Sequence, residues 1–145
     1  MIELVTDCKV NRNTFYYHFK DLPALMAEIA KRGIDSCLAA CKGGAAEKLN
    51  HTIERMAQNK LRILHVYSAD ERAVFDSELA WLCEYLAGRL FAKNTDGDCT
   101  ENFRLMLVKS CLYGLVSDWL AKSLDEECIP QLTAACAELA KYIEE

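Results

Sequence analysis

Arg12, Asn13, Thr14, Tyr16, Tyr17, His18 and Lys20 stand within nine residues of one another. Arg and Asn can hydrogen-bond purine edges in a DNA major groove, while Thr, Tyr and Lys can hold phosphate oxygens. Phe15 and Phe19 are interleaved with them, four residues apart, and so share one helical face, with Val10 and Leu22 on either side. That face is expected to turn inward, which leaves the polar set outside. Two adjacent tyrosines beside Arg, His and Lys make a poor ordinary surface and a good groove-facing one. The competing reading makes the tyrosines core and the charges solvated surface.

These residues need short elements to position them. Met1–Lys9 reads as a short helix with Ile2, Leu4, Val5 and Cys8 as its apolar positions. Val10-Asn11-Arg12 is a tight connection, and Asn11 is a good N-cap for a helix over Arg12–Phe19. Asp21 can cap the next helix, with Pro23 in its first turn, where a missing N–H costs nothing. That helix is expected over Leu22–Cys41, with Leu22, Leu25, Met26, Ile29, Ile34 and Leu38 as its stripe and Gly43-Gly44 at its end. A long helix follows over Ala45–Tyr67, its stripe including Leu49, Ile53, Met56, Leu61 and Leu64. Ser68-Ala69-Asp70 breaks it. A strongly apolar helix spans Glu71–Ala92, and Asn94-Thr95-Asp96-Gly97-Asp98 is the clearest loop. Thr100 is placed to cap a helix over Glu101–Leu124. Asp125–Ile129 connects it to a last helix that opens at Pro130 and ends near Tyr142. With only 2 prolines and 6 glycines in 145 residues, the pattern is all-α.

The stretch Thr14-Phe15-Tyr16-Tyr17-His18-Phe19-Lys20-Asp21 resembles the Thr-x-Tyr-x-His-Phe-Lys-Asp signature of TetR-type transcriptional regulators, and Val10-Asn11-Arg12 resembles their Val-Ser-Arg turn. The chain departs from that pattern at Asn11 for Ser and at Leu22 for a frequent Lys. Farther on, Tyr113-Gly114-Leu115-Val116-Ser117-Asp118-Trp119-Leu120 resembles the Gly-x-x-x-x-Trp segment of a subgroup that includes activators of dihydroxyacetone-kinase operons. The resemblance implies a helix-turn-helix reader at residues 1–42 and a helical effector-binding and dimerisation body at 43–145. It implies base-facing roles for Arg12, Asn13 and Tyr17, and phosphate-facing roles for Thr14, Tyr16, His18 and Lys20. It further implies a homodimer on a double-stranded DNA operator, joined through the helices over 101–124 and 130–142, with Leu112, Gly114, Leu115 and Trp119 at the seam. An effector is expected among Tyr67, Phe75, Trp81, Tyr85, Phe103, Met106 and Tyr113. In the family a further helix precedes the segment that starts here at Met1, so the module is expected to lack its first helix. Ile2, Val5, Phe15 and Phe19 would then lack a cover, and the stretch to about Lys20 would be the least ordered.

The remaining residues narrow the class. Net charge is −5, but residues 1–42 carry six Lys/Arg against five Asp/Glu while the remainder carries eleven against seventeen, so the acidity lies in the body. The 8 cysteines stand in a long, helix-patterned chain without a signal peptide, which points to free thiols in the cytoplasm. No run of about 18 apolar residues suggests a membrane span. Cys37 and Cys41 share a helix face, but no third ligand type stands near them, so neither a metal nor a cofactor is expected. His51 and His65 are isolated, and neither a phosphate loop nor a nucleophile elbow is present, so no enzyme is expected. Two alternatives stay open: the same fold governed by a protein partner, and a helical interaction module that no longer binds DNA.

Overall fold

A computed structural model of the protein describes residues 2–68, 72–91 and 99–144. Among them every regular element is helical: α1 Ile2–Asp7, α2 Arg12–His18, α3 Leu22–Ala40, α4 Ala45–Gln58, α5 Lys60–Tyr67, α6 Arg72–Phe91, α7 Cys99–Ala121, a 3-10 turn at Glu126–Cys128, and α8 Ile129–Glu144. The break expected at Ala69-Asp70, the loop at Asn94–Asp98 and the capping side chain of Thr100 lie outside the described residues.

The body core is a set of facing rows. On α4, Ala45, Leu49 and Ile53 are buried at intervals of four; on α8, Leu132, Cys136 and Ala140 repeat the same interval. The two helices pack on each other, and three of these six side chains are Ala or Cys, small enough to bring the backbones close. α6 lies against α7, joining Cys83, Leu86 and Ala87 to Val108, Leu112, Trp119 and Leu120. α3 reaches this core through Leu38 and packs on both α4 and α6.

Three expectations about element shape change. The helix read as continuous over Ala45–Tyr67 breaks at Asn59 (φ −103°, ψ 16°), whose side-chain amide donates to the Arg55 carbonyl at 2.9 Å. An Asn side chain that competes for backbone acceptors in this way favours a helix end. The break turns Leu61, expected in the stripe, out to 83% exposure. Leu22 and Ile29, placed in the α3 stripe, are also exposed. Gly43-Gly44 does not end α3; the helix stops at Ala40 with Cys41 as cap, and Gly44 starts α4. The reason is at the other end of the chain: the Glu144 carboxylate accepts the Ala45 N–H at 2.7 Å. A Cβ on residue 44 would lie 2.4 Å from that oxygen, so glycine leaves room for a cap delivered by α8.

α7 ends in a tight reversal with no glycine. Ser123 (φ 56°) and Leu124 (φ 51°) adopt left-handed backbone. The Ser123 N–H bonds the Leu120 carbonyl at 2.9 Å and the Leu124 N–H bonds the Trp119 carbonyl at 2.9 Å, the pair that defines a Schellman end. Leu124 and Trp119 are both buried there, and the Trp119 indole N–H donates to the Asp125 carbonyl at 2.8 Å. Left-handed backbone at a residue with a Cβ costs about 1–2 kcal/mol. Ser123→Gly is therefore expected to stabilise the protein by about 1 kcal/mol, raising the midpoint of thermal unfolding by roughly 2–4 °C. An unchanged or lower midpoint by calorimetry would count against strain at this turn.

Candidate nucleic-acid interface

The N-terminal three helices are joined by caps that the local sequence supplies. α1 ends with Lys9 in left-handed backbone (φ 52°), its N–H on the Thr6 carbonyl at 3.1 Å and the Val10 N–H on the Val5 carbonyl at 3.0 Å. This is a second Schellman end, and it stops α1 at Asp7, two residues before the expected Lys9. Asn11 then caps α2, its Oδ1 accepting the Asn13 N–H at 2.9 Å. The Phe19 N–H closes α2 on the Phe15 carbonyl at 2.9 Å. Asp21 opens α3 by accepting the Ala24 N–H at 2.8 Å, with Pro23 in the first turn.

Phe15 and Val5 are each 8% exposed, and Phe15 lies 5.8 Å from the Phe19 ring. The expectation that these side chains lack a cover is thus corrected for Val5 and Phe15, which are buried, and for Phe19, which is half-buried; the side chain of Ile2 lies outside those described. α1 packs on α2, and that contact hides the apolar side of a helix too short to be stable alone.

Arg12, Asn13, Thr14, Tyr16, Tyr17, His18 and Lys20 are all exposed, Tyr17 to 86%. Arg12 lies over the Tyr16 ring at 5.9 Å, and Tyr17 meets His18 edge-on at 5.1 Å. No side chain of the seven forms an ion pair or a side-chain hydrogen bond among the described residues. Residues 8–20 contain three Lys/Arg and no Asp or Glu. The result is an exposed, locally cationic strip along α2 and the turns that flank it, with α2 anchored from behind by Phe15.

The aromatic set expected to line an effector pocket divides into separate places. Tyr67 meets Phe75 at 5.3 Å where α5 gives way to α6. Trp81 stacks on Tyr85 at 5.9 Å. Tyr113 is half-buried against the body core, whereas Phe103 and Met106 are 55% and 47% exposed on α7. Of the set, Trp81 lines a groove between α3 and α6 of about 380 Å³. A smaller hollow of about 90 Å³, between α3 and α4, is lined by Ser36, Cys37, Ala40, His51, Glu54, Arg55 and Gln58. Of the residues expected at a dimer seam, Leu112 and Trp119 are 4% and 2% exposed within the chain's own core, Leu115 is half-buried and Gly114 is exposed.

A polar cluster that the sequence did not announce holds α3 against α6. The Tyr85 hydroxyl donates to Asp35 at 2.5 Å, and Lys31 and Arg89 reach the same carboxylate at 3.5 and 3.3 Å. The Lys31–Asp35 spacing is visible in the sequence as an i,i+4 pair; nothing there points to Tyr85 or Arg89. The hydrogen bond from Tyr85, with the charges of Lys31 and Arg89, holds the Asp35 carboxyl below its ordinary value of 3.8.

The cysteines grade by depth. Cys8 and Cys111 are exposed, whereas Cys37, Cys41, Cys83 and Cys136 are buried. Burial pushes the Cys83 thiol up to about 12 and raises Cys136 as well, so neither is a nucleophile near neutral pH.

No protein-family model, curated protein or solved structure matches this chain.

Asp35 makes a prediction about acid. A carboxylate whose folded value is lowered contributes stability that is complete above its unfolded value and lost as pH falls through the folded one. The α3–α6 contact should thus be intact above 3.8 and weaken below it. Asp35→Asn should be less stable than the parent at neutral pH, and the gap should narrow as the pH drops below that value. Urea midpoints for both proteins across that range check it; parallel curves would mean the carboxylate charge does not hold the two helices together.

Proposed function

We propose that the protein is a sequence-specific DNA-binding transcriptional regulator of TetR type, acting as a homodimer. The observation that carries this reading is the sidedness of α2. The motif's polar residues all face solvent, while its two phenylalanines face the protein. Phosphate contacts from Tyr16 and Lys20 would set the register of the helix on the duplex, and Arg12, Asn13 and Tyr17 would meet base edges.

Support for the dimer comes from α7. Phe103, Met106, Leu107, Cys111 and Gly114 recur at helical spacing and are exposed. A helix apolar on its core side and again on its solvent side has one face in excess of what its own chain covers. A second copy packing there by two-fold symmetry would bury it. The seam in this reading is made of Phe103, Met106, Leu107, Cys111 and Gly114; Leu112 and Trp119 stay in the protomer core. Two reading helices so joined would address successive major grooves about 34–36 Å apart.

Selection from a random duplex pool, followed by fluorescence anisotropy on the winning sequence and a scrambled one, tests DNA reading. Arg12→Ala is expected to cost about 1–3 kcal/mol on the selected sequence and to relax preference at one base position. Lys20→Ala and Tyr16→Ala should weaken binding to both duplexes alike and flatten the salt dependence. Equal affinity of the unmutated protein for both duplexes would sink the reading. For the dimer, Leu107→Glu should give a monomer by light scattering at micromolar concentration. A monomeric parent protein, or a variant that remains dimeric, would remove α7 from the seam.

A further inference from the structure

The groove between α3 and α6 is lined by Ala24, Ala27, Glu28, Ser77, Glu78 and Trp81 and holds about 380 Å³. Its size has a local cause. Ala24 and Ala27, one turn apart on α3, present only methyl groups where larger side chains would close the gap. Across from them Glu78 and Trp81, also one turn apart, share an edge of α6.

The charges around it are unevenly settled. Glu28 pairs with Arg32 at 3.0 Å, Asp35 with Lys31 and Arg89, Asp76 with Arg72 at 4.0 Å, and Glu84 with Lys109 at 3.1 Å. Every Lys and Arg within α3 and α6 is thereby engaged. Glu78, half-buried, is the one acidic side chain of these two helices without an ion pair or hydrogen bond among the described residues. Beside it Trp81 stays 43% exposed, although its indole already stacks on Tyr85 at an interplanar angle of 21°. Glu78 is thus a carboxylate at the groove with no counter-charge of its own, and an exposed indole is the best aromatic surface for a cation.

We propose that this groove binds an organic cation, an ammonium group carrying an apolar portion. The positive centre lies between the Glu78 carboxylate and the Trp81 ring, and the methyls of Ala24 and Ala27 receive the apolar portion. The two carboxylates on the lining disfavour an anionic ligand, and a neutral one would leave Glu78 uncompensated. The regulatory consequence rests on the DNA-binding reading above. α3 begins four residues after α2 ends, so a ligand seated between α3 and α6 bears on the helix that carries the reading head. It alters DNA affinity to the extent that it binds one α3–α6 arrangement better than another.

The test uses choline as the cation and 3,3-dimethylbutan-1-ol as its uncharged isostere. In 15N-labelled protein the indole N–H signals of Trp81 and Trp119 are followed by NMR, Trp119 serving as a buried control for folding. Choline is expected to shift the Trp81 signal saturably and to leave Trp119 in place, while the alcohol shifts neither. Glu78→Gln should weaken choline about tenfold, and Trp81→Leu, with its Trp119 signal unmoved, should bind at least tenfold more weakly by calorimetry. Equal responses to choline and the alcohol, no saturable shift, or undiminished binding by Glu78→Gln would overturn the proposal. These measurements contain no DNA. Choline binding in a protein that fails to select DNA would retire the regulator and keep the groove; selective DNA binding without choline binding would do the reverse.

Discussion

The Asp35 carboxylate accepts from the Tyr85 hydroxyl and from two cations, Lys31 on its own helix and Arg89 on α6. These contacts tie α3 to α6. They matter because α3 belongs to both parts of the molecule. At its start it is capped by Asp21 and follows α2; at its far end Leu38 enters the body core. α3 runs unbroken over Leu22–Ala40, so the contact that holds it against α6 also places its capped N-terminal end, which begins four residues after α2 ends. Hydrogen bonds and ion pairs are directional, so this cluster sets a register that apolar packing alone would leave looser.

The N-terminal pair α1 and α2 is small and correspondingly dependent on a few contacts. Helices of six and seven residues do not stand alone. Two Schellman-type or side-chain caps and the burial of Val5 and Phe15 hold α1 and α2 together, and each draws on residues within a dozen positions of one another. The outward face is thereby left free of internal obligations. Its seven polar residues have no ion-pair partners among the described residues.

The body solves a different problem. α4 and α8 each bury a single row, and their N- and C-terminal ends are tied by the Glu144 cap on Ala45. Arg104 of α7 strengthens the same end, donating to the Tyr142 carbonyl and lying 4.9 Å from the Tyr142 ring. α6 and α7 are apolar on more than one side. Their inner faces make the core with Cys83, Leu86, Val108 and Leu112; their outer faces leave Trp81 and the Phe103–Gly114 stripe unburied. The first of these outer surfaces borders the α3–α6 groove beside Glu78, and the second is an exposed row of Phe103, Met106, Leu107, Cys111 and Gly114.

The sequence alone determined what depends on near neighbours. Asn11, Asp21 and Pro23 mark helix starts because a cap needs only its own side chain and the next two or three N–H groups. The spacing of Phe15 and Phe19 fixes which side of α2 turns inward, since helical periodicity is local. The all-helical class followed in the same way. The tertiary structure decided whatever depends on distant partners. Tyr85 finds Asp35 across 50 residues, and Glu144 finds Ala45 across 99; no local pattern encodes either. The break at Asn59 could not be told from a mid-helix Asn, because both read alike until the side-chain amide selects its acceptor. Leu112 and Trp119 could not be assigned between the core and a seam. On a helix apolar on several sides, periodicity says that faces are buried but not against what, and only the packing of α6 on α7 settles which face is taken first.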